Sequence, residues 1–370
     1  MFEIIFLIVI CGYFIQSVLF SIGTSKKFPK IPESELPTVT VIVAARDEEK
    51  NILRCLNSLN NLNYPDNKLE IIIVDDQSTD KTGKLIDEFI SSPKTPARRA
   101  GRFKKIITKK EIGRLKGKTN ALANGLEAAK NEIIFTTDAD CEVSPDWVKT
   151  MASYYTKDVG MVNGITTQNA FNGFSGMQSL DFIYLLIAAS ATINLEKPIS
   201  CIGNNMSYRK KTYYETGGYE NLPFSVTEDF NLLMAIYKLK KYKIVYPVDK
   251  GSLVTSLPCP DLKSLAHQKK RWGVGGLGVP FRGFFIMANG FLSYLGILLV
   301  PFFYSPLCLY LIALKLLLDF LVLYPVLKLL GISKNLKYFF HFQIYYTIYV
   351  LALPFMVLFS RKVIWKERTY

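Results

Sequence analysis

The chain has 370 residues, and its 45 lysines and arginines against 31 aspartates and glutamates give a formal net charge of +14. Apolar residues make up 49% of the chain and charged residues 21%, and the mean hydropathy is +0.18. This combination excludes a disordered chain, a collagen and a small disulfide scaffold, and it predicts a water-soluble body joined to apolar segments. The six cysteines form no CxxC pair and no Cys/His cluster, which predicts a reduced body that faces the cytosol.

The first apolar segment, residues 1–22, contains a single charge, Glu3, and is long enough to cross a hydrocarbon core of roughly 30 Å. It predicts a transmembrane helix. A cleavable signal peptide is the alternative, but that class begins with positive charges, which this segment lacks. Lys26, Lys27 and Lys30 follow the segment, so the positive-inside rule places the amino end outside and the following body in the cytoplasm. In a bacterium the membrane would be the inner or plasma membrane.

The carboxyl-terminal part, residues 284–360, is predicted to form two or three membrane helices. A break at residues 304–306 divides its first part into helices at about 286–304 and 307–329. A third apolar run, about 338–359, has basic residues at both ends, so either it re-enters the membrane at Pro354 or an earlier segment does. Residues 361–370 form a basic tail.

Two charged residues, Lys315 and Asp319, stand four apart within the second of these predicted helices and therefore share one face. Inside lipid, such residues are stable only when they meet each other or a polar ligand. The sequence leaves both alternatives open.

After a linker at residues 23–37, the body at 38–278 alternates strand and helix patterns. The predicted strands are Thr38–Ala45, Leu69–Asp75, Lys104–Thr108 and Glu132–Thr137, and the predicted helices are Glu48–Leu62, Thr82–Phe89, Lys118–Lys130 and Asn231–Lys241. The order predicts an α/β fold with a doubly wound sheet, whose ligands bind beyond the carboxyl ends of the strands.

A strongly basic stretch runs from Arg98 to Lys118 and contains ten basic residues and one acid, Glu111. Either a flexible solvated loop or contact with anionic lipid headgroups accounts for it. No aromatic residues alternate with these charges, so a nucleic-acid partner is not predicted.

Carboxylates follow two of the predicted strands. Asp75 and Asp76 end the second strand, where carboxylates accept hydrogen bonds from a base or ribose, although a helix cap is an equally simple explanation. Asp138 and Asp140 follow a later strand with one residue between them, a pattern that suits Mg²⁺ or Mn²⁺ with phosphate; a plain turn is the alternative.

Two further motifs lie nearer the carboxyl end. Thr227-Glu228-Asp229 precedes an amphipathic helix, and Thr227 as a helix cap explains part of that pattern. Residues 267–272 (HQKKRW) precede a glycine-rich segment, and an interfacial anchor would have the same composition.

The order of VDDQSTD, KGKTNAL, DAD, GNN, TED and QKKRW resembles the family 2 glycosyltransferases with a GT-A fold, specifically the membrane-integrated branch with a QxxRW signature. The resemblance covers about residues 38–276. That branch includes cellulose, chitin and hyaluronan synthases and ceramide glucosyltransferase. It implies a Rossmann-like cytoplasmic catalytic domain flanked by transmembrane helices, a nucleotide-sugar donor, commonly a UDP-sugar, a divalent metal and inversion at the anomeric carbon.

The resemblance also implies roles for individual residues. Asp229 matches the general base, and Asp138 and Asp140 match the metal-binding DxD pair, with Asp140 as the direct ligand. The implied donor-binding residues are Ala45, Arg46, Asp75, Asp76, Lys118, Asp138 and Arg271. The implied acceptor-binding residues are Glu228, Gln268 and Trp272.

A further apolar stretch, Phe174–Ile193, has the length of a membrane span. Asp181 and the position of the stretch between two motifs predict instead a helix that lies in the interface beside the site.

The short membrane part predicts transfer of single sugars to a membrane lipid, since a polymer-secreting synthase must enclose a pore. A processive synthase that extends and secretes a β-linked polymer from a glycan acceptor is the alternative. A non-catalytic scaffold that only senses the nucleotide is a further hypothesis, but it would be expected to lose Asp229 or the DxD pair, and both are present.

Overall fold

The structure is a computed structural model that describes residues 1–92, 101–108, 111–223, 225, 227–359, 364–365 and 368–369. The chain folds into two units, and each unit is built from separate parts of the sequence. The helical unit comprises Met1–Lys26, Gln168–Ser200 and Pro258–Tyr370. The α/β unit comprises Lys27–Thr167 and Cys201–Leu257.

The α/β unit contains the VDDQSTD, KGKTNAL, DAD, GNN and TED motifs. Its strands are β1 Val39–Ala45, β2 Leu69–Asp75, β3 Phe103–Ile107, β4 Ile133–Asp138, β5 Glu142–Val143, β6 Val159–Asn163, β7 Thr166–Gln168, β8 Met206–Arg209, β9 Lys243–Val245 and β10 Val254–Ser256. Its helices are α2 Ile52–Asn60, α3 Thr82–Ser91, α4 Gly117–Ala128, α5 Trp147–Ala152, α7 Lys210–Glu215 and α8 Glu228–Leu239.

The helical unit contains the apolar segments and the QxxRW signature. Its helices are α1 Phe2–Thr24, α6 Gly173–Asn194, α9 Leu262–Gly275, α10 Phe281–Leu299, α11 Pro306–Leu329 and α12 Phe339–Phe359. Two short strands, β11 Ile364–Trp365 and β12 Arg368–Thr369, pair near the carboxyl end. Short 3₁₀ turns occupy Glu33–Glu35, Asp66–Lys68, Gly203–Asn205, Tyr219–Asn221, Lys250–Ser252, Gly276–Gly278 and Ser333–Tyr338.

Seven strands form the main sheet, in the order β3-β2-β1-β4-β8-β6-β9. The four strands predicted from the sequence pair in parallel, and all residues of β1 except Ala44 are buried, as expected for a strand covered on both faces. Strand β8 is antiparallel to both β4 and β6, so the sheet is mixed rather than uniformly parallel. A smaller sheet has the order β5-β10-β7.

The register of the sheet aligns the ends of three strands. Ala45 of β1 pairs with Asp75 of β2, and Ala44 pairs with Asp138 of β4. The carboxylates that end β2 and β4 therefore lie on either side of the end of β1. This edge is where the polar motifs were expected to converge.

Part of the basic stretch is ordered, so a flexible loop is the wrong description for residues 102–107. Strand β3 pairs with β2, the buried Arg102 forms an ion pair with Asp66, and Lys105 lies 2.7 Å from Asp87 Oδ2. Residues 98–100 and 109–110 of this stretch, and residues 93–97 before it, lie outside the described residues. None of the six cysteines forms a disulfide within the part of the chain that the structure describes.

Five helices among the described residues are long and apolar enough to cross a membrane: α1, α6, α10, α11 and α12, the last with its preceding turn. The predicted bounds 286–304 are wrong for α10, which runs from Phe281 to Leu299. It starts directly after Pro280, and it ends before Ser305, whose side chain caps the first turn of α11.

Helix α6 is the most enclosed of the five, with 17 of its 22 residues buried. Asn172 and Ser175 form a reciprocal capping box at its start, and the helix packs against α1, α11 and α12. It is therefore a member of the helical bundle. Its position in the membrane interface stays a prediction.

The charged residues of α11 meet each other. Lys315 Nζ lies 2.7 Å from Asp319 Oδ2, and both side chains are fully buried. Gln343 of α12 donates to the same carboxylate oxygen at 2.7 Å, while Tyr13 of α1 donates to its other oxygen at 2.5 Å. The hydroxyl oxygens of Tyr13 and of Tyr184 of α6 are hydrogen-bonded at 2.6 Å. One buried polar network thus links four of the apolar helices.

Candidate active site

The end of β4 carries the first part of the site. Asp138 is its last residue, and Lys118 Nζ lies 2.6 Å from Asp138 Oδ1. Lys118 reaches this position from the first turn of α4, which begins at Gly117 with φ +58, a conformation that glycine adopts without strain. The KGKTNAL and DAD motifs therefore meet through one ion pair.

Asp140, two residues further on, lies within a group of negative charges. Burial, Asp138 and Glu48 raise the pKa of Asp140 to about 6. Its main-chain oxygen accepts a hydrogen bond from Arg54 Nη2, so Arg54 holds the turn rather than the carboxylate. A divalent cation would balance the excess negative charge here.

The start of α8 supplies the second part of the site. Glu228 Oε1 lies 3.5 Å from Lys118 Nζ, so the same lysine lies between the DAD and TED carboxylates. Burial and the adjacent Glu228 raise the pKa of Asp229 to about 6, while Lys118 acts in the opposite direction. Asp229 Oδ1 accepts a hydrogen bond from Phe230 N at 2.8 Å. A partly buried carboxyl whose pKa is raised is suited to taking a proton.

The GNN motif positions the segment that faces Asp229. The amide nitrogen of Asn205 donates to the main-chain oxygens of Ile165 (2.8 Å) and Ser252 (2.9 Å), and its oxygen accepts from Trp147 Nε1 (2.8 Å). Since both ends of the amide are engaged, Asn205 is a structural residue that fixes the turn carrying Gly203.

The predicted nucleotide-binding residues surround the ends of β1 and β2. Asp76 N donates to Ala45 O at 2.8 Å, and Arg46 Nη1 donates to Asp76 O at 3.1 Å. Asp75 is buried and accepts from Ser78 N at 3.0 Å, so its carboxylate also shapes the loop that follows β2. The structure brings these four residues together.

The QxxRW residues belong to the helical unit, on α9. Asp261 caps this helix by accepting from Ser264 N at 2.7 Å. Trp272 stacks on Phe182 of α6, with ring centroids 5.4 Å apart and an interplanar angle of 18°. Gln268, Arg271 and Trp272 are all partly exposed.

Sequence reasoning gave no site role to several residues that take part in the geometry, although it singled out the GNN motif and Asp181. Glu48 adds a carboxylate near Asp140, and Gly203 leaves the space beside Asp229. Lys269 and Asp181 form a buried ion pair next to Trp272. The signal for Lys269 is its place three residues before Trp272, which puts both side chains on one face of the helix.

The protein alone offers an incomplete metal shell. No group of three or more His, Cys, Asp or Glu side chains that could hold a metal ion occurs in the part of the chain that the structure describes. Asp138 and Asp140 would supply two hard oxygen ligands, and the rest of a shell would come from diphosphate oxygens and water, which is how Mg²⁺ is commonly held. The residues fit a metal that arrives with a nucleotide.

Comparison with known proteins identifies the fold and the relatives. The family model described as Glycosyl transferase family group 2 matches residues 133–359, and Glycosyl transferase family 2 matches residues 40–217. The mannosyltransferase PcManGT from Pyrobaculum calidifontis, solved with GDP-Man and Mn²⁺, superposes with a TM-score of 0.61 at 18% identity, over 93% of this chain and 98% of that chain. The α/β unit thus has the predicted GT-A fold.

Three curated relatives have similar sequences. The probable glycosyltransferase YdaM of Bacillus subtilis is 27% identical over 68% of this chain and 58% of its own length. A beta-monoglucosyldiacylglycerol synthase of Nostoc is 26% identical over 68% and 51%. A poly-beta-1,6-N-acetyl-D-glucosamine synthase of Staphylococcus aureus is 26% identical over 74% and 62%. The chain spans less than two thirds of the length of each of these relatives.

Proposed function

We propose that this chain, which belongs to glycosyl transferase family group 2, is a membrane-associated enzyme that transfers one sugar from a nucleotide sugar, a UDP-sugar, to a membrane lipid. The observation that carries the proposal is the convergence of Asp138, Glu228 and Asp229 around Lys118. It combines a partly buried carboxylate that can take a proton with a cationic group and with carboxylates that would hold a divalent metal at a leaving diphosphate.

Asp229 acts as the general base. It takes the proton of the acceptor hydroxyl while that oxygen forms a bond to the anomeric carbon and the bond from this carbon to the phosphate oxygen breaks. Its partial burial beside Glu228 supports this role, because the raised pKa makes it a stronger base than an exposed aspartate. Attack from the side opposite the diphosphate inverts the anomeric carbon.

The other residues bind the donor. Arg46, Ala45, Asp75 and Asp76 hold the nucleoside, Arg271 supplies a permanently charged fork for the diphosphate, and Lys118 fixes Asp138. Asp138 and Asp140 would hold Mg²⁺ or Mn²⁺, which would supply neutralisation of the diphosphate charge. Gln268, Trp272 and Glu228 serve the acceptor side, and Trp272 offers an apolar surface for a sugar or lipid.

The lipid acceptor is supported by the apolar helices of this chain and by a relative that is named a beta-monoglucosyldiacylglycerol synthase. The lysines that follow α1 support a cytoplasmic position for the α/β unit. The second candidate, a processive polymer synthase, is supported by the relative that is named a poly-beta-1,6-N-acetyl-D-glucosamine synthase.

The test is product analysis after reconstitution of the purified full chain into liposomes. A panel of labelled UDP-sugars, with GDP-mannose as a further donor, is added together with a lipid extract, and products are identified by mass. We expect a lipid that carries one sugar and stays in the membrane. A ladder of long chains would favour the polymer synthase, and transfer from GDP-mannose alone would overturn the UDP assignment. No transfer from any donor, with nucleotide binding retained, would favour a sensing scaffold.

A further inference from the structure

We propose that Lys269 and Asp181 are positioning residues that fix the ring of Trp272 for acceptor binding. The proposal rests on the proposed function, because it assigns a purpose to a residue of the acceptor side. It concerns three elements of the helical unit: α6, α9 and α12.

The pair is enclosed and joined to the tryptophan. Lys269 Nζ forms an ion pair with Asp181 Oδ2, and the two side chains are only 4% and 3% exposed. The same ammonium lies 4.3 Å from the centroid of the Trp272 ring. Trp272 also stacks on Phe182, the residue that follows Asp181 in α6. Two adjacent residues of α6 therefore hold two residues of α9.

A third helix closes the cluster. Tyr345 of α12 donates to Asp181 Oδ2 at 3.2 Å, and the ring centroid of Tyr349 lies 5.0 Å from Lys269 Nζ. An ammonium near the faces of aromatic rings is attracted by their negative π surface, and the attraction grows when water is excluded. The cluster thus fixes the Trp272 ring from several directions.

The helix geometry separates this anchoring from the donor side. Lys269 and Trp272 are three residues apart, so they share the face of α9 that contacts α6. Arg271 is rotated about 100° from Trp272 around the helix axis. Loss of the pair should therefore disturb the acceptor contact more than a diphosphate contact made by Arg271.

A buried ion pair contributes little net stability to the contact between two helices, since well-packed apolar residues often give equal or greater stability. An ion pair is needed at this position if the ammonium of Lys269 must lie on the ring of Trp272. If this is its role, apolar replacement keeps the fold and loses the position of Trp272.

The test uses the full chain in liposomes and the lipid product assay described above. In the double variant Lys269→Met/Asp181→Leu both charges are removed, so neither is left buried alone. We expect the KM for the lipid acceptor to rise roughly 10- to 100-fold, since small misplacements of binding groups have effects of this size. We expect the KM for the donor to stay unchanged, and Lys269→Arg, which keeps a cation and its partner, to retain the normal acceptor KM.

A second buried lysine–aspartate pair, Lys315 and Asp319, offers a matched control. Lys315→Met/Asp319→Leu removes a lysine–aspartate pair from the same helical unit, and the contacts described for that pair involve no residue of α9. Its acceptor KM should stay normal. An equal rise in both double variants, or a normal acceptor KM in Lys269→Met/Asp181→Leu, would overturn the proposal.

A spectroscopic readout separates this inference from the proposed function. The emission of Trp272, obtained by subtracting the spectrum of a Trp272→Phe variant, should shift when the ammonium leaves the ring. If the unmodified protein transfers no sugar, the proposed function fails while the shift still reports the contact. If the unmodified protein transfers sugar and neither the shift nor the KM change occurs, the positioning role is wrong.

Discussion

Gly203 lies directly against Asp229. A β-carbon placed on Gly203 would be 3.2 Å from Asp229 Cβ and 3.3 Å from Asp229 Oδ2. Contacts this short force one neighbour to move by a few tenths of an ångström. The absence of a side chain at position 203 therefore defines the position of the proposed base.

Gly203→Ala should lower kcat with little effect on nucleotide binding, because the added methyl group displaces Asp229 and leaves the loops after β1 and β2 untouched. We expect a loss of roughly tenfold or more, the scale of small misalignments of catalytic groups. Steady-state transfer rates and UDP titration give the two quantities. Gly101→Ala is the control, since among the described residues other than its chain neighbours no atom lies within 4 Å of a β-carbon placed there. Normal kcat in Gly203→Ala would show that the contact does not matter.

The reaction should depend on the ionisation of Asp229. Its pKa is raised to about 6, and the base works only when deprotonated, so kcat/KM should rise as the pH increases towards 6 and level off above it. Asp229→Asn should lose about 10²–10⁴ in rate, as expected for removal of a general base, while UDP affinity stays nearly normal. A pH profile without an acid limb, or substantial turnover in Asp229→Asn, would mean that another group accepts the proton.

Lys118 should control where that acid limb lies. Its positive charge lowers the pKa of Asp229, so Lys118→Met should raise the pKa and move the acid limb to higher pH, by about one unit or more. The measurement is kcat/KM against pH for both proteins. Lys116→Met removes an exposed lysine two residues earlier and should leave the profile unchanged. Equal profiles for all three proteins would show that Lys118 does not act on the base.

Asp140→Ala should remove the metal dependence of UDP binding, because it takes away one of the two hard oxygen ligands at the end of β4. The turn itself should survive, since Arg54 binds the main-chain oxygen of Asp140. UDP titrations with Mn²⁺ and with a chelator measure the effect, and Glu142→Gln changes a nearby exposed carboxylate as a control. A metal dependence that persists in Asp140→Ala would identify the DAD sequence as a turn only.

The Lys315–Asp319 pair should show strong coupling in stability. Lys315→Met leaves Asp319 buried without its cation and should destabilise the protein by about 3–5 kcal/mol, whereas the double variant Lys315→Met/Asp319→Leu should be destabilised far less. Thermal unfolding in detergent compares the variants. Additive effects of the two single substitutions would argue that the residues act independently.

Much of the sheet could be predicted from the sequence because its central strands carry their own signal. Runs such as Val39–Ala45 and Leu69–Asp75 are apolar and β-branched, and the structure confirms both strands to within a residue. The acidic residues after them predicted the edge of the sheet at which we propose that the donor binds.

Strand β8 could not be predicted. Met206–Arg209 is only four residues long, and its apolar and polar residues do not alternate clearly. Its antiparallel position between β4 and β6 is determined by pairing with those strands. The predicted start of α10 is also wrong. The helix begins at Phe281, but the charge of Arg282 interrupts the apolar pattern from which its start was predicted.

The sequence indicated the catalytic residue types but not all their neighbours. Lys118 and Asp138 were each identified, and their contact follows from the order of strand and helix. The contacts of Gly203 with Asp229 and of Lys269 with Asp181 join distant parts of the chain, and no local pattern encodes them.

The discontinuity of the two units has a consequence for synthesis on the ribosome. Strand β6 ends at Asn163, and its partners in the sheet, β8 and β9, begin only at Met206 and Lys243. The segment translated in between contains α6, an apolar helix of the other unit. At a translation rate of about 5–20 residues per second, roughly 2–9 s pass between the synthesis of β6 and that of its first partner strand, β8. Helix α6 is thus translated within the interval in which the main sheet is still unfinished.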